Sequence, residues 1–178
     1  RLLALAKNLD PDRFEVSFAF DQRFRSVLGE FPFSVHPLNS LPKGWFDRAF
    51  ATGEPVYSAS AILGYVKEET TLLRRLRPDV VVGDFRHSLS LSAREVGIPY
   101  VNVLNAYWNP GISVRSVIPE VTITRLLGVP AAQAGFNVFR PALYALHGIP
   151  YWKARRRFSR PSLSLDVRHS FMDADWVL

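Results

Sequence analysis

The chain has 178 residues, 48% hydrophobic and 21% charged, with a mean hydropathy of +0.02; that is an ordinary globular balance and enough for one well-buried domain. The absence of cysteine excludes a disulfide framework and thiolate metal sites and fits a reducing, cytoplasmic setting; no signal-peptide pattern and no apolar run able to span a bilayer is present. Much of the net charge of +6 sits in Arg74, Arg75 and Arg77 and in Lys153, Arg155, Arg156, Arg157 and Arg160. With no nucleic-acid motif beside them, these are expected to be solvated helix faces without a nucleic-acid partner, and a peripheral contact with anionic lipid stays open.

The first element is a helix, with Leu2, Leu3, Leu5, Ala6 and Leu9 at helical spacing, broken by Asp10-Pro11. "FEVSFAF" alternates, placing Phe14, Val16, Phe18 and Phe20 on one face of a strand. A shorter strand is expected over Phe33 to His36. "LNSLPKGWFDRAFATGEPVY" reads as a long loop with one helical turn. Tyr57 to Arg77 is an amphipathic helix with Ile62, Tyr65, Val66, Leu72, Leu73 and Leu76 as its stripe, ended by Pro78.

"DVVVG" then reads as a strand buried on both faces, the mark of a parallel sheet covered by helices. "SLSLSAREVG" alternates like a strand, yet Ser88 as N-cap, Ala-Arg-Glu and Gly97 as the terminating residue favour a helix. "YVNVLN" is the next parallel strand. After Pro119, "ITRLLGVP", "AAQAGFNVFRPALYALHGIP" and "YWKARRRFSRPSLS" are expected to be short helices broken by Pro130, Pro141, Pro150 and Pro161. A last strand lies near Trp176. Arg1 opens inside a helical pattern and Leu178 stops inside an apolar one, so the sequence is expected to be a fragment of a longer protein. The order of elements predicts an α/β fold: a Rossmann-like, doubly wound parallel sheet with a helical excursion in its C-terminal third.

In such a sheet ligands collect beyond the carboxyl ends of the strands, here Phe20-Asp21, Gly83-Asp84 and Asn105 to Trp108. Asp84 precedes a helix N-terminus, where a negative charge is favoured, and taken alone it reads first as a turn or capping residue. His87 reads as a first-turn residue in solvent, and His36 and His147 as core or rim residues. No His, Asp or Glu pair has metal-ligand spacing, and no phosphate-cradling glycine motif is present, so no metal or nucleotide site is expected within the chain.

"LLALAKNLDPDRFEVSFAFDQRF", "LRRLRPDVVVGDFRHSLSLSAREVGIPYVNVLNAYWNP" and "LLGVPAAQAGFNVFRPALYALHGIP" together resemble the N-terminal, acceptor-binding half of a bacterial GT-B-fold glycosyltransferase. The family meant is the one that includes UDP-glucuronosyl and macrolide glycosyltransferases. The resemblance implies that 1–178 is one Rossmann-like domain, with its excursion over 118–165, lacking its first strand and the C-terminal domain that holds most donor contacts. It implies an inverting hexosyltransferase moving sugar from a nucleotide-sugar donor, expected to be a UDP-sugar, to a hydroxyl of a hydrophobic small-molecule or lipid acceptor, with no other cofactor. A histidine after the first strand would be the base and Asp84 would orient it. That histidine would precede Arg1, and the fragment alone would be inactive. Phe85, Tyr107 and Trp108 would line the acceptor pocket, with Arg86, His87 and Asn105 as further substrate contacts. A sugar-nucleotide 2-epimerase half and a non-catalytic scaffold subunit remain as alternatives.

Overall fold

The computed structural model describes residues 1–113, 116–118, 121–161 and 163–178; Pro119, after which the excursion is expected, lies outside them. The architecture is α/β and Rossmann-like, with every strand pairing parallel. Among the described residues the strands form two small sheets rather than one. β1 (Ser17–Phe20) pairs with β2 (Ser34–Pro37), and β3 (Val81–Asp84), β4 (Tyr100–Val103) and β5 (Trp176–Val177) form the second sheet in that order.

β1 is shorter than the alternating run that contains it, and Phe14 is exposed, whereas Phe18 and Phe20 pack on Phe31 with Phe33 beside them. β3 is an edge strand of its sheet, so Val80 is exposed and Val81 and Val82 only half-buried. That corrects the expectation of burial on both faces. Gly83 does sit in a tight place: a Cβ there would lie 2.8 Å from Leu89 Cδ2 and 3.0 Å from the Tyr100 ring.

α1 (Leu2–Lys7) and α3 (Ala59–Leu76) form where their periodicity places them. The Ser58 side chain accepts from Ala61 N to cap α3, and Arg77, left-handed at φ 50°, ends it before Pro78. α2 (Trp45–Thr52) is two full turns where the sequence suggests a single one, framed by Gly44 and Gly53, both left-handed. α4 (Leu89–Val96) ends on left-handed Gly97 as predicted, but Ser88 at its N-cap position makes no cap bond. Its hydroxyl binds a buried carboxylate instead.

The excursion departs most from its reading. α5 (Thr122–Leu127) is followed by α6 (Val129–Arg156), one helix of 28 residues that runs through both Pro141 and Pro150. Pro130 lies in its first turn, where a missing N–H costs nothing. The two internal prolines each remove one helical hydrogen bond. Burial of Ala132, Tyr151, Ala154 and their neighbours keeps the helix continuous across them. A short α7 (Val167–Phe171), unpredicted, packs against α6. The close approach passes over Gly148, where a Cβ would fall 1.7 Å from Leu165 O; only glycine fits.

The core lies between α3, α4, α6 and β4. Ile62, Val66, Leu91, Tyr151 and Ala154 form one cluster, and Leu73, Leu89, Ala93 and Tyr100 a second. Each large aliphatic side chain there contributes roughly 1.5–3 kcal/mol of burial.

Candidate active site

Asp84 closes β3, and the chain reverses at Phe85, whose φ of 57° is left-handed and strained for a residue with an aromatic side chain. The reversal separates Asp84 from Arg86 and His87. The Asp84 side chain is 30% exposed. Its Oδ2 accepts from Arg1 Nε at 3.1 Å and its Oδ1 from Arg1 Nη2. The other branch of Arg1, Nη1, donates to Asn105 Oδ1 at 2.7 Å, and Asn105 Nδ2 donates to the Tyr107 hydroxyl at 3.0 Å. One guanidinium therefore ties the end of β3 to the loop after β4. The hydrogen bond to Asp84 holds Arg1 more firmly protonated than a free arginine.

Aromatic rings surround this point. Phe85 stacks on Phe171 at 4.1 Å and meets Trp108 edge-on at 5.0 Å; Tyr107 lies 6.0 Å from Trp108 and is exposed. The structure thus gathers Asp84, Phe85, Asn105, Tyr107 and Trp108 at neighbouring strand ends.

Arg86 and His87, expected as further substrate contacts, lie apart from this cluster. Arg86 Nε donates to Glu69 Oε1 at 2.6 Å and Nη1 to Asn39 O at 3.0 Å, with the guanidinium 4.6 Å from the Tyr65 ring centre. His87, far from standing in solvent, is 6% exposed. It stacks on Tyr57, meets Phe171 and Tyr151 edge-on, and has Nε2 3.1 Å from Ser170 Oγ. Burial, with a smaller push from His147, lowers its pKa to about 3, so the ring is neutral.

The other strand ends are linked by side chains. Asp21, after β1, accepts from Arg23 and from Ser40 Oγ; the hydrogen bonds from Arg23 hold its carboxyl far below the usual range. Arg23 also reaches Leu41 O, and Arg86 reaches Asn39 O, both beyond β2. Beside this edge an open groove of about 660 Å³ runs between the loop after β2 and α3, lined among others by Leu38, Asn39, Tyr65, Lys67, Glu68 and Arg75. Asp84 is not in its wall.

Two buried carboxylates are not visible in the sequence pattern. Glu69 accepts from Arg86, from Ser88 Oγ at 2.6 Å and from Ser92 Oγ at 2.5 Å. Asp173 accepts from the Tyr151 hydroxyl at 2.6 Å, pairs with Arg94 at 3.0 Å, and binds Arg155, while Ser90 Oγ lies 2.6 Å from the same hydroxyl. In "SLSLS", therefore, Ser88 and Ser92 turn their hydroxyls onto Glu69 and Ser90 meets the Tyr151 hydroxyl that binds Asp173. One signal does exist: Glu69 falls on the apolar stripe of α3, between Val66 and Leu73, where an acid needs partners. Arg155, expected on a solvated face, is buried by its pairing with Asp173.

The 178 residues align in full with curated mycobacterial proteins. The chain is 39% identical to an "Inactive PGL/p-HBAD biosynthesis glycosyltransferase" of Mycobacterium bovis BCG, covering 49% of it. It is 39% identical to a "PGL/p-HBAD biosynthesis glycosyltransferase" of Mycobacterium tuberculosis, covering 42%, and 40% identical to a "PGL/p-HBAD biosynthesis rhamnosyltransferase" of Mycobacterium bovis BCG, covering 39%. The chain spans about half the length of the curated relatives it matches, or somewhat less. No family model matches it, and no solved structure does.

Proposed function

We propose that the chain is the acceptor-binding half of a glycosyltransferase, moving a sugar from a nucleotide-sugar donor to a hydroxyl of a hydrophobic acceptor. The observation that carries this is the unbroken similarity to glycosyltransferases, 39–40% identical over all 178 residues. Asp84 supports it: a part-exposed carboxylate at the carboxyl end of a parallel strand, bonded by a side chain rather than consumed by backbone amides. In the reaction an imidazole supplied from outside these residues removes the acceptor proton. Asp84 orients that ring and stabilises its charged form as the hydroxyl displaces the nucleotide. Phe85, Tyr107 and Trp108 offer flat apolar surface for the acceptor, and Asn105 a polar contact. The donor, which we take to be a UDP-sugar, binds mainly to the other half of the protein. The relative named rhamnosyltransferase makes a rhamnose nucleotide the second donor to try.

The test is sugar transfer by the full-length protein, with UDP-sugars and a rhamnose nucleotide offered against hydroxyl-bearing lipids and phenols. Asp84→Asn should keep its melting temperature and lose turnover by at least about 10²-fold. Full turnover in that variant would remove Asp84 from the mechanism. Acceptor-independent conversion of the donor would replace transfer by epimerisation.

A further inference from the structure

We infer that α5 and α6 form a docking surface for an anionic membrane, lying in the headgroup plane rather than crossing it. The first observation is charge. Residues 121–165 contain seven of the 22 Lys and Arg and none of the 16 Asp and Glu, so this segment is formally +7 and the remainder of the chain is −1, with Arg155 of the seven buried on Asp173.

The second is the outer face of α6. Ala131, Ala134, Val138, Phe139, Ala142 and Leu146 are exposed, with Val138 at 72% and Phe139 at 64%. At about 100° per residue they fall within an arc of roughly 140°. The buried residues Tyr151, Ala154 and Arg155 project opposite, while Ala132 and Pro150 are buried at one edge of the arc. α5, which packs against α6, also exposes Ile123, Leu126 at 76% and Leu127.

The third is continuity. Further along the same arc the helix carries Lys153 and Arg156, with Arg157 as its C-cap and Arg156 held 4.8 Å from the Trp152 ring centre. A water-facing helix normally shows polar residues outward. This one shows hydrocarbon for about four turns and then cations, the pattern of a helix that sinks its apolar face into a bilayer and pairs its cations with lipid phosphates. No helix among the described residues is long and apolar enough to cross a membrane. Charge complementarity selects an anionic lipid surface as the occupant. The inference stands independently of the transfer reaction.

Flotation of the full-length protein with vesicles tests it. Binding is expected to phosphatidylglycerol-containing vesicles at 0.1 M salt and not to pure phosphatidylcholine. Arg156→Gln with Arg157→Gln should weaken binding roughly 30-fold, from about 1 kcal/mol per cation. Leu126→Ser with Phe139→Ser should weaken it at least about tenfold with unchanged melting temperature. Absence of binding, equal binding to neutral vesicles, or undiminished binding in either variant would overturn the proposal. So would a dimer by light scattering that Leu126→Ser with Phe139→Ser dissociates, which gives this face to a second copy. A lowered melting temperature in the serine variant would overturn it as well, by giving the face to another part of the same protein.

Discussion

Among the described residues, Asp84 takes its side-chain hydrogen bonds from Arg1 alone, while its sequence neighbours Arg86 and His87 are absorbed by the interior. The left-handed turn at Phe85 makes this division, sending a part-exposed carboxylate one way and the Arg86 guanidinium and the neutral His87 ring the other. His87 then has a measurable cost. Its folded pKa, about 3, lies below the unfolded value near 6.5, so between those limits the unfolded chain binds a proton that the folded one does not. Stability falls as the pH falls through this window, by about 2 kcal/mol from pH 7 to pH 5. Denaturant midpoints across that range should show the loss, and His87→Phe should flatten it. A shallower slope should remain from His147, whose pKa partial burial also lowers.

At the scale of elements, α6 is where local signals and tertiary packing disagree. At Gly148 a Cβ would meet the backbone of Leu165, and Gly148→Ala should cost about 3 kcal/mol because backbone, not a flexible side chain, must retreat. Thermal unfolding of the variant reads this directly. α3, α4 and the strands around Asp84 are legible in the sequence because their signals are short-range: an apolar stripe, Gly97 as terminator, Pro78 as stop. Pro141 and Pro150 mislead because helix breaking is only a local preference, and burial against α3, α5 and α7 outweighs it. α2 hides in a stretch rich in Pro and Gly. The site is half legible. Asp84 and the Asn-Ala-Tyr-Trp run follow from strand ends, whereas Phe171, Glu69 and Asp173 depend on contacts between residues far apart in sequence. Periodicity flags Glu69 alone, as an acid on the apolar stripe of α3, and does not name its partners.

Across the whole molecule, burial is uneven. In residues 1–56 the described buried positions are Ala6 and Ala49, while both core clusters are built from Ile62 onward. Cooperative stability follows buried apolar contact, so β1 and β2 should exchange their amide hydrogens well before α3, α4 and β4. Hydrogen-exchange mass spectrometry would show the gradient, and uniform protection would refute it. The distribution of cations has another consequence. With positive charge gathered in one segment and a faintly negative remainder, the protein carries an electric dipole. Near a charged sheet it experiences torque as well as attraction, beginning within about one screening length, roughly 8 Å in physiological salt. Rotation precedes touching, so encounters begin already aligned and become less frequent as salt is added.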